Sequence, residues 1–308
     1  MNEYKLENEY ISLKFLDYGA VITSLYFKNY EIETVLGYDC LKDYGDNDIQ
    51  LGVSCVGPYA GRIENSKYTI NNINISLDKN LKNHSIHGGF NGFTNQIFNV
   101  EINGNFAILS LKYNFLDIKV VFTLNKETLK QEIFATTSKA TLFNPTNHTY
   151  FNLNSNNCLD YTVNLNSDYL YYLDNDSIPK DKIDINKTQF SILNGSGKIR
   201  DIYDDQFKIT KFIDHPFHLN SNKIIVTNNE NNIALNILTN QKYAVVYTGN
   251  YLSNCSKYIN KKIPIDYMGI CIETQNIPNG INMKNEESSI LYPNQKYYYY
   301  NEYFLKTS

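Results

Sequence analysis

Apolar and polar residues alternate along most of this chain, and short polar turns separate the alternating runs. The run from Ile11 to Phe15 follows this pattern, and a second run, Val21 to Phe27, comes after the turn around Gly19. A period of two places every second side chain on the same face, as in a half-buried β-strand. No segment shows the sustained 3.6-residue period of an amphipathic helix. The pattern therefore predicts a protein built from strands.

Several pairs of these runs are joined by turns that favour hairpins, because Asn and Gly tolerate the positive φ angles of tight turns. Many short antiparallel strands usually pack as two facing sheets or as a large barrel. We expect an all-β protein with a large antiparallel β-sandwich. The predicted hairpins are Lys67 to Leu77 around Asn71-Asn72, Phe98 to Tyr113 around Asn103-Gly104, Val120 to Leu124 with Leu129 to Thr136, and Ile224 to Thr227 with Ile233 to Leu238, followed by a strand from Tyr243 to Tyr247.

The longest stretch without a strand pattern runs from Asp174 to Asp205 and contains Pro179, Gly195 and Gly197. Such a stretch is either a linker between domains or an elaborate loop. The same pattern and composition continue on both sides of it. We therefore expect a loop, and a single domain that covers residues 1–308.

Composition and charge exclude several classes of protein. A chain of 308 residues with 42% hydrophobic content can bury a large core without a disulfide or metal to stabilise it. The net charge is −4 and no cluster of Lys and Arg stands out, which argues against binding to nucleic acid or to an anionic membrane. Neither a signal peptide at Met1 to Asn8 nor an apolar run of membrane-spanning length is evident. We expect a cytoplasmic protein.

The five cysteines are far apart and lack Cys-x-x-Cys spacing. This pattern suits neither a disulfide framework nor a zinc site, so we expect reduced structural thiols. The histidines are not spaced as metal ligands either, and the chain contains no glycine-rich phosphate loop and no Gly-x-Ser-x-Gly turn. The sequence therefore predicts neither a metal nor a nucleotide cofactor, and it does not predict a serine hydrolase.

Glu273 lies in an apolar, strand-like run shortly before the turn at Pro278-Asn279-Gly280. A glutamate in this setting is either part of a buried ion pair or a catalytic base at a strand end. Two histidines favour the second interpretation, because both lie among small, turn-forming residues: His87 before Gly88-Gly89, and His148 after Asn144-Pro145-Thr146-Asn147. Histidine and carboxylate together can supply an acid and a base near neutral pH.

The other polar candidates are weaker. His84 lies in a polar run and is expected to be an exposed loop residue, while His215 and His218, on either side of Pro216-Phe217, suit structural roles. Asp214 precedes them in a turn and could accept hydrogen bonds from a ligand. Together with Arg62 and the many aromatic residues, this inventory suits proton transfer on a polyhydroxylated ligand.

Six motifs follow one another along nearly the whole chain. They are Gly57-Pro58-Tyr59-Ala60-Gly61-Arg62-Ile63, Ser85-Ile86-His87-Gly88-Gly89, Asn144-Pro145-Thr146-Asn147-His148-Thr149-Tyr150-Phe151-Asn152, Asp214-His215-Pro216-Phe217, Tyr247-Thr248-Gly249-Asn250 and Glu273-Thr274-Gln275-Asn276.

Together these motifs resemble those of the aldose 1-epimerase (galactose mutarotase) family. The resemblance implies a large antiparallel β-sandwich of the galactose mutarotase-like supersandwich type. It also implies interconversion of the α and β anomers of free aldohexoses such as galactose and glucose, with a monosaccharide as partner and no cofactor. We expect a monomer or homodimer.

The resemblance also implies a role for each matching residue. Glu273 corresponds to the base that takes the proton of the anomeric hydroxyl, and His148 to the acid that protonates the ring oxygen. Arg62, His87 and Asp214 correspond to residues that bind and orient hydroxyls. The ordinary pKa values of Glu and His, roughly 4.3 and 6.5, let an ionised base and a partly protonated acid coexist near neutrality.

The chain departs from the family pattern in ways that predict a different sugar preference. Family members often carry a Gln shortly before Tyr-Thr-Gly-Asn, where this chain has Ala244, Val245 and Val246. The motif that ends in Arg62 lacks the first Arg and the Asn of the commoner Gly-Arg-x-Ala-Asn-Arg, and the chain has no Trp to stack on a sugar.

Three alternatives stay open at this point. A hexose 6-phosphate epimerase would need several cations, although the chain has only Arg62 and Arg200 as arginines. A sugar-binding protein could keep the cavity without catalysis. Finally, Glu273 and the two histidines could serve only the packing of the sandwich.

Overall fold

The computed structural model describes residues 1–46 and 49–307, and most of its regular structure is β-strand. Its one α-helix in these residues, α1, covers only Phe207–Thr210. The strands are β1 Glu3–Glu7, β2 Ile11–Leu16, β3 Ile22–Phe27, β4 Ile32–Glu33, β5 Arg62–Ile63, β6 Lys67–Ile70, β7 Ile73–Ser76, β8 Ser85–Ile86, β9 Asn99–Asn103, β10 Phe106–Tyr113, β11 Leu116–Asn125, β12 Thr128–Thr137, β13 Thr141–Leu142, β14 Tyr150–Phe151, β15 Tyr161–Asn164, β16 Tyr169–Leu173, β17 Pro179–Asp184, β18 Asn194–Lys198, β19 Asp214–His218, β20 Lys223–Asn228, β21 Ile233–Thr239, β22 Tyr243–Tyr247, β23 Ile270–Gln275, β24 Ile290–Leu291 and β25 Tyr297–Thr307.

Short 3-10 helices punctuate the loops between strands. They cover Lys28–Tyr30, Leu41–Gly45, Glu64–Ser66, Phe93–Asn95, Ile185–Lys187, Gln189–Leu193, Ile199–Asp201, Leu252–Asn254 and Gly280–Asn282. Within residues 1–46 and 49–307, no helix has the length and apolar character needed to cross a membrane.

Two large antiparallel sheets dominate the fold and confirm the prediction of an all-β sandwich. The nine-stranded sheet has the order β18-β15-β20-β21-β25-β12-β11-β10-β9, and the six-stranded sheet has the order β14-β23-β22-β19-β16-β17. A four-stranded sheet, β1-β2-β3-β4, and three two-stranded pairs complete the architecture. The predicted hairpins appear as β6–β7, β9–β10, β11–β12 and β20–β21, and β22 covers the predicted Tyr243–Tyr247.

The core lies where the two large sheets face each other, because each contributes one apolar face. Ile133 of β12 and Tyr299 of β25 belong to the same buried cluster as Val246 of β22 and Ile272 of β23. Since side chains alternate along a strand, the neighbours of Val246 and Ile272 in sequence point to the other face of the six-stranded sheet. That outer face is where the candidate site lies.

The prediction of a loop from Asp174 to Asp205 was wrong. The stretch contains β17, which pairs with β16 at the edge of the six-stranded sheet, and β18, which pairs with β15 at the edge of the nine-stranded sheet. Both strands are mostly exposed. An edge strand with little buried surface has no need of an apolar face, so its sequence lacks the alternation that marks the inner strands.

Candidate active site

A cavity of about 390 Å³ opens over the outer face of the six-stranded sheet, a size typical of small-molecule sites. All five residues predicted to form a site line this cavity. The strand register explains how the sheet residues among them converge, because positions opposite each other on neighbouring strands lie side by side. One row across the sheet is Tyr150, Cys271, Tyr247 and Asp214, and the next row is Glu273, Val245 and Pro216. The five predicted residues in the wall are Arg62, His87, His148, Asp214 and Glu273.

Glu273 and His148 are in direct contact inside the cavity. Oε1 of Glu273 lies 3.3 Å from Nε2 of His148, and the two side chains are only 4% and 14% exposed. Glu273 belongs to the interior of β23 and not to its end. In the described part of the chain His148 is its ion-pair partner, with no Lys or Arg within 4.0 Å. The buried carboxylate therefore meets a histidine, which can gain and lose a proton near neutral pH. A Lys or Arg partner would stay charged and would serve only as a structural ion pair.

Side-chain hydrogen bonds hold the segment before His148 against β23 and against Asn276, the residue that follows β23. Asn144 accepts from the backbone N–H of Asn276 at 2.9 Å and donates to its carbonyl at 3.0 Å. The hydroxyl of Thr146 donates to the carbonyl of Thr274 at 2.9 Å. The backbone N–H of His148 itself donates to Val53 at 2.8 Å. These bonds explain why the segment carries short polar residues, and they fix the distance between His148 and Glu273.

The second ring nitrogen of His148 faces a thiol. Nδ1 lies 3.4 Å from Sγ of Cys271, and the same sulfur lies 3.8 Å from the carbonyl oxygen of His148. The rings of Tyr150, Tyr247 and His87 surround the imidazole, with centroid distances of 5.2, 6.0 and 5.5 Å. The imidazole is thus held by contacts on both nitrogens and by three rings around it.

Burial changes the pKa values of the pair in opposite directions. It raises the pKa of Glu273 well above its usual range, and the negative charge of Asp214 adds to this effect while Arg62 opposes it. Burial also lowers the pKa of His148 to about 4. The order of the two pKa values is therefore the reverse of that expected from unperturbed side chains. With the pKa values in this order, one proton shared by the pair belongs on Glu273.

Arg62 and His87 come from a short antiparallel pair at the side of the cavity, in which Arg62 of β5 lies opposite Ile86 of β8. The backbone N–H of Gly61 donates to Nδ1 of His87 at 3.2 Å. This places the proton of the neutral imidazole on Nε2, and burial keeps His87 neutral by lowering its pKa well below the usual range. His87 therefore has one N–H to offer a ligand.

Arg62 and Asp214 form an ion pair in the cavity wall. Nη1 of Arg62 lies 3.7 Å from Oδ2 of Asp214, and both side chains are 22% exposed. Nε of Arg62 is buried without a hydrogen-bond partner. The cavity thus offers N–H donors beside a carboxylate acceptor, a combination that suits a ligand with several hydroxyl groups.

The remaining histidines have structural contacts. His84 was expected to be exposed, and this is wrong: it is 6% exposed, accepts from the N–H of Asn65 and lies 3.4 Å from Asp176. His215 is fully buried and contacts Gln206, and His218 stacks on Tyr169, in agreement with the structural roles expected for them.

Several residues that line the cavity have no site role predicted from the sequence. The cavity is lined by Tyr247, Val245 and Tyr251. Tyr150, which was expected only to pack, also lines it. Val245 lies directly opposite Glu273 on the neighbouring strand. The alternation of β22 could have indicated that Val245 and Tyr247 share a face. Only the register between strands shows that this face is the one that Glu273 occupies.

The cavity brings together titratable and polar side chains. Comparisons with known proteins give the family of the chain. The sequence profile described as aldose 1-epimerase matches residues 2–303. An aldose 1-epimerase of Haemophilus influenzae is 30% identical over 98% of this chain and 94% of its own length. The galactose mutarotase of Mus musculus is 29% identical over 96% and 92%. This chain belongs to the aldose 1-epimerase family.

Solved structures show the same fold over the full length. The galactose 1-epimerase of Lactobacillus acidophilus NCFM superposes with a TM-score of 0.86 at 27% identity, covering 99% of this chain and 94% of that one. A GalM/aldose epimerase homologue from C. elegans reaches a TM-score of 0.87 at 22% identity, covering 99% of both chains. The predicted galactose mutarotase-like sandwich is confirmed.

Proposed function

We propose that this protein interconverts the α and β anomers of free aldohexoses, galactose and glucose among them, by acid–base ring opening and closing. The observation that carries the proposal is the contact of 3.3 Å between Glu273 and His148 in a cavity that also holds Arg62, Asp214 and His87. The names of the relatives, aldose 1-epimerase and galactose mutarotase, support the same reaction, and the second supports galactose as a substrate.

In the proposed reaction, Glu273 takes the proton of the anomeric hydroxyl while the C1–O5 bond breaks. O5 receives a proton from Nε2 of His148, and C1 becomes the carbonyl carbon of the open sugar. Rotation about C1–C2 then presents the other face of the carbonyl. On closing, O5 returns its proton to His148 and attacks C1, and Glu273 returns a proton to the carbonyl oxygen. The pair thus ends with the single proton with which it began.

Burial leaves that proton on Glu273 in the empty cavity, yet the reaction begins with it on His148. The direct contact resolves this difference, because the proton has only the 3.3 Å between Oε1 and Nε2 to cross. An imidazolium with a pKa of about 4 is a strong acid for its type, and a carboxylate with a raised pKa is a strong base. The two pKa shifts disfavour the charged forms of His148 and Glu273. The same shifts make the imidazolium a stronger acid and the carboxylate a stronger base.

Three further residues bind the sugar in this proposal. Arg62 donates from its planar guanidinium, Asp214 accepts from hydroxyls, and His87 donates from Nε2. Val245 leaves an apolar surface beside Glu273, in the stretch from Ala244 to Val246 where the family often has a Gln. Because a valine side chain has no hydrogen-bond donor or acceptor, we expect a sugar hydroxyl next to Val245 to contribute little to binding. The five cysteines are all free thiols, which supports a reducing, cytoplasmic setting.

The first test is the optical rotation of freshly dissolved α-D-galactose and α-D-glucose with the purified protein. We expect the wild type to accelerate the approach to anomeric equilibrium. The variants Glu273→Gln and His148→Asn should each lose roughly 10²- to 10⁴-fold in kcat, the usual contribution of a positioned acid or base. Glu287→Gln serves as the control, because Glu287 is exposed and does not line the cavity.

Near-normal rates in both folded variants would contradict the assignment of the acid and base. Sugar binding without any acceleration would favour a binding protein. Acceleration with sugar 6-phosphates alone would favour a hexose 6-phosphate epimerase, although Arg62 is the one Lys or Arg among the residues described as lining the cavity.

A further inference from the structure

We propose that Cys271 is a positioning residue that fixes the tautomer of His148, so that Nε2 is the ring nitrogen that carries the mobile proton. The proposal rests on the proposed function, since it gives His148 a proton to transfer. Cys271 itself does not line the cavity and is fully buried, so it has no direct contact with a sugar there.

The geometry comes from a single strand. Cys271 and Glu273 are two residues apart on β23 and therefore project from the same face. The thiol approaches Nδ1 of His148 at 3.4 Å, and the carboxylate approaches Nε2 at 3.3 Å. One strand thus contacts the imidazole through both of its nitrogens. In the described part of the chain, Sγ of Cys271 is the hydrogen-bond partner of Nδ1.

A second contact decides the direction of the hydrogen bond. The thiol has one proton, and Sγ lies 3.8 Å from the carbonyl oxygen of His148, which can only accept. When S–H donates to this carbonyl, the sulfur is left as an acceptor toward Nδ1. Nδ1 must then carry a proton. Nε2 is consequently the nitrogen that gains and loses the mobile proton, facing Glu273.

A neutral thiol suits this task better than a carboxylate would. Burial raises the pKa of Cys271 well above its usual range, and the charge of Glu273 adds to this, so the sulfur stays protonated. A carboxylate at Nδ1 would stabilise the imidazolium and weaken His148 as an acid. The thiol orients the ring and selects its tautomer without adding a negative charge.

Among the described residues, Cys271 is the one side chain that contacts Nδ1, and the backbone carbonyl of His148 itself also lies near the ring, where it raises the pKa of the imidazole against the effect of burial. Tyr150, Tyr247 and His87 contact the imidazole through their rings. Glu273 is on the opposite nitrogen, while Asp214 and Arg62 act on the pKa of Glu273. Loss of the thiol would therefore leave Nδ1 without its side-chain partner, with only the carbonyl of His148 nearby, and both neutral tautomers would become accessible.

The test compares Cys271→Ala and Cys271→Ser with Cys158→Ala as the matched control. Cys158 is also fully buried and its thiol reaches backbone carbonyls, but it does not contact His148. We expect Cys271→Ala to lower kcat by roughly 2- to 12-fold, the range that one neutral hydrogen bond is worth, with little change in KM. Cys271→Ser should restore kcat, because a hydroxyl also donates and accepts. Cys158→Ala should lower stability but keep the wild-type kcat.

Nitrogen-15 NMR of labelled histidine gives a second measurement that a purely structural role would not change. The His148 signals, assigned by their loss in His148→Asn, should show the Nδ1–H tautomer in the wild type and in Cys271→Ser, and a mixture in Cys271→Ala. A wild-type Nε2–H tautomer, or Cys271→Ala with an unchanged tautomer and kcat, would overturn the proposal. Because NMR needs no turnover, it tests the tautomer even if the polarimetric assay refutes the proposed function.

Discussion

Burial sets the protonation of single residues in the cavity, because it shifts the pKa values of Glu273 and His148 away from those of free side chains. If Glu273 and His148 had the pKa values of free side chains, the histidine would carry the shared proton near neutral pH. Burial reverses this order by disfavouring both charged forms. The pair therefore keeps one proton over the pH range between its two pKa values. Such a pair titrates as a unit, so its apparent pKa values belong to both residues.

This behaviour predicts a bell-shaped dependence of kcat/KM on pH. Below about pH 4, His148 is protonated while Glu273 keeps its own proton, so no base remains and activity falls. Above the raised pKa of Glu273, the pair loses its proton and no acid remains. We expect the acidic limb near pH 4 and the alkaline limb well above the ordinary value for a glutamate. Polarimetric rates measured across pH check both limbs.

Asp214→Asn tests the cause of the alkaline limb. The charge of Asp214 raises the pKa of Glu273, so its removal should move the alkaline limb to lower pH, in addition to weakening sugar binding. An alkaline limb that stayed in place or moved to higher pH would contradict this explanation.

At the level of elements, the site depends on one loop whose backbone only glycine can follow. Gly88, directly after His87, has a φ of +83°, and a Cβ there would lie 2.1 Å from the carbonyl oxygen of Gly57. That carbonyl already accepts from the N–H of Phe93 at 2.8 Å. The glycine thus lets two backbone segments approach closely enough to hold His87 in the cavity wall.

Gly88→Ala should therefore destabilise the protein and disturb binding. We expect a loss of about 1–3 kcal/mol in the free energy of unfolding from backbone strain, with a further cost from the clash, and a higher KM because His87 moves. Urea unfolding and polarimetry measure the two effects. Gly104→Ala is the control, since Gly104 also has a positive φ, +57°, but no atom within 4 Å of an added Cβ. Equal effects of the two variants on KM would contradict the role given to this loop.

Across the whole molecule, a buried polar network joins the two large sheets beneath the site. Asn301 of β25 accepts from the hydroxyl of Thr274 of β23 at 2.9 Å. Its amide donates to the hydroxyls of Tyr299 and Tyr303 at 2.6 and 2.7 Å. Thr274 follows Glu273 in β23, so the network fixes the strand that carries the base to the opposite sheet. A polar network that is fully hydrogen-bonded specifies one packing of the core.

Asn301→Ala should weaken the sandwich, because it leaves the buried hydroxyl of Tyr303 without a partner, while Thr274 and Tyr299 keep the hydrogen bond of 3.0 Å between their hydroxyls. We expect a loss of about 1–3 kcal/mol for each group that remains unsatisfied, measured by urea unfolding. Asn240→Ala is the matched control, because Asn240 makes an exposed hydrogen bond to the carbonyl of Tyr298 and should cost much less. A loss no larger than that of the control would show that the network contributes little to stability.

The sequence by itself determined the class of fold and the identity of the main site residues. Alternation with a period of two is a local property, so β11, β12, β20 and β21 could be read directly from their residues. Glu273 was a candidate because it lies in a strand-like apolar run, and His148 and His87 were candidates because they lie among small, turn-forming residues. These signals are contained within a few neighbouring residues, and tertiary contacts do not alter them.

Only the tertiary structure decided which distant residues meet and how they are protonated. The edge strands β17 and β18 were missed because exposed strands need no apolar face, and His84 was wrongly expected to be exposed because its burial comes from other segments. Val245 comes to lie beside Glu273 through the register of β22 and β23. Cys271 is a neighbour of Glu273 on β23, and it meets His148 because β14, which follows His148, pairs with β23. The reversed pKa order of Glu273 and His148 has the same origin, since desolvation depends on everything that surrounds a group and not on its neighbours along the chain.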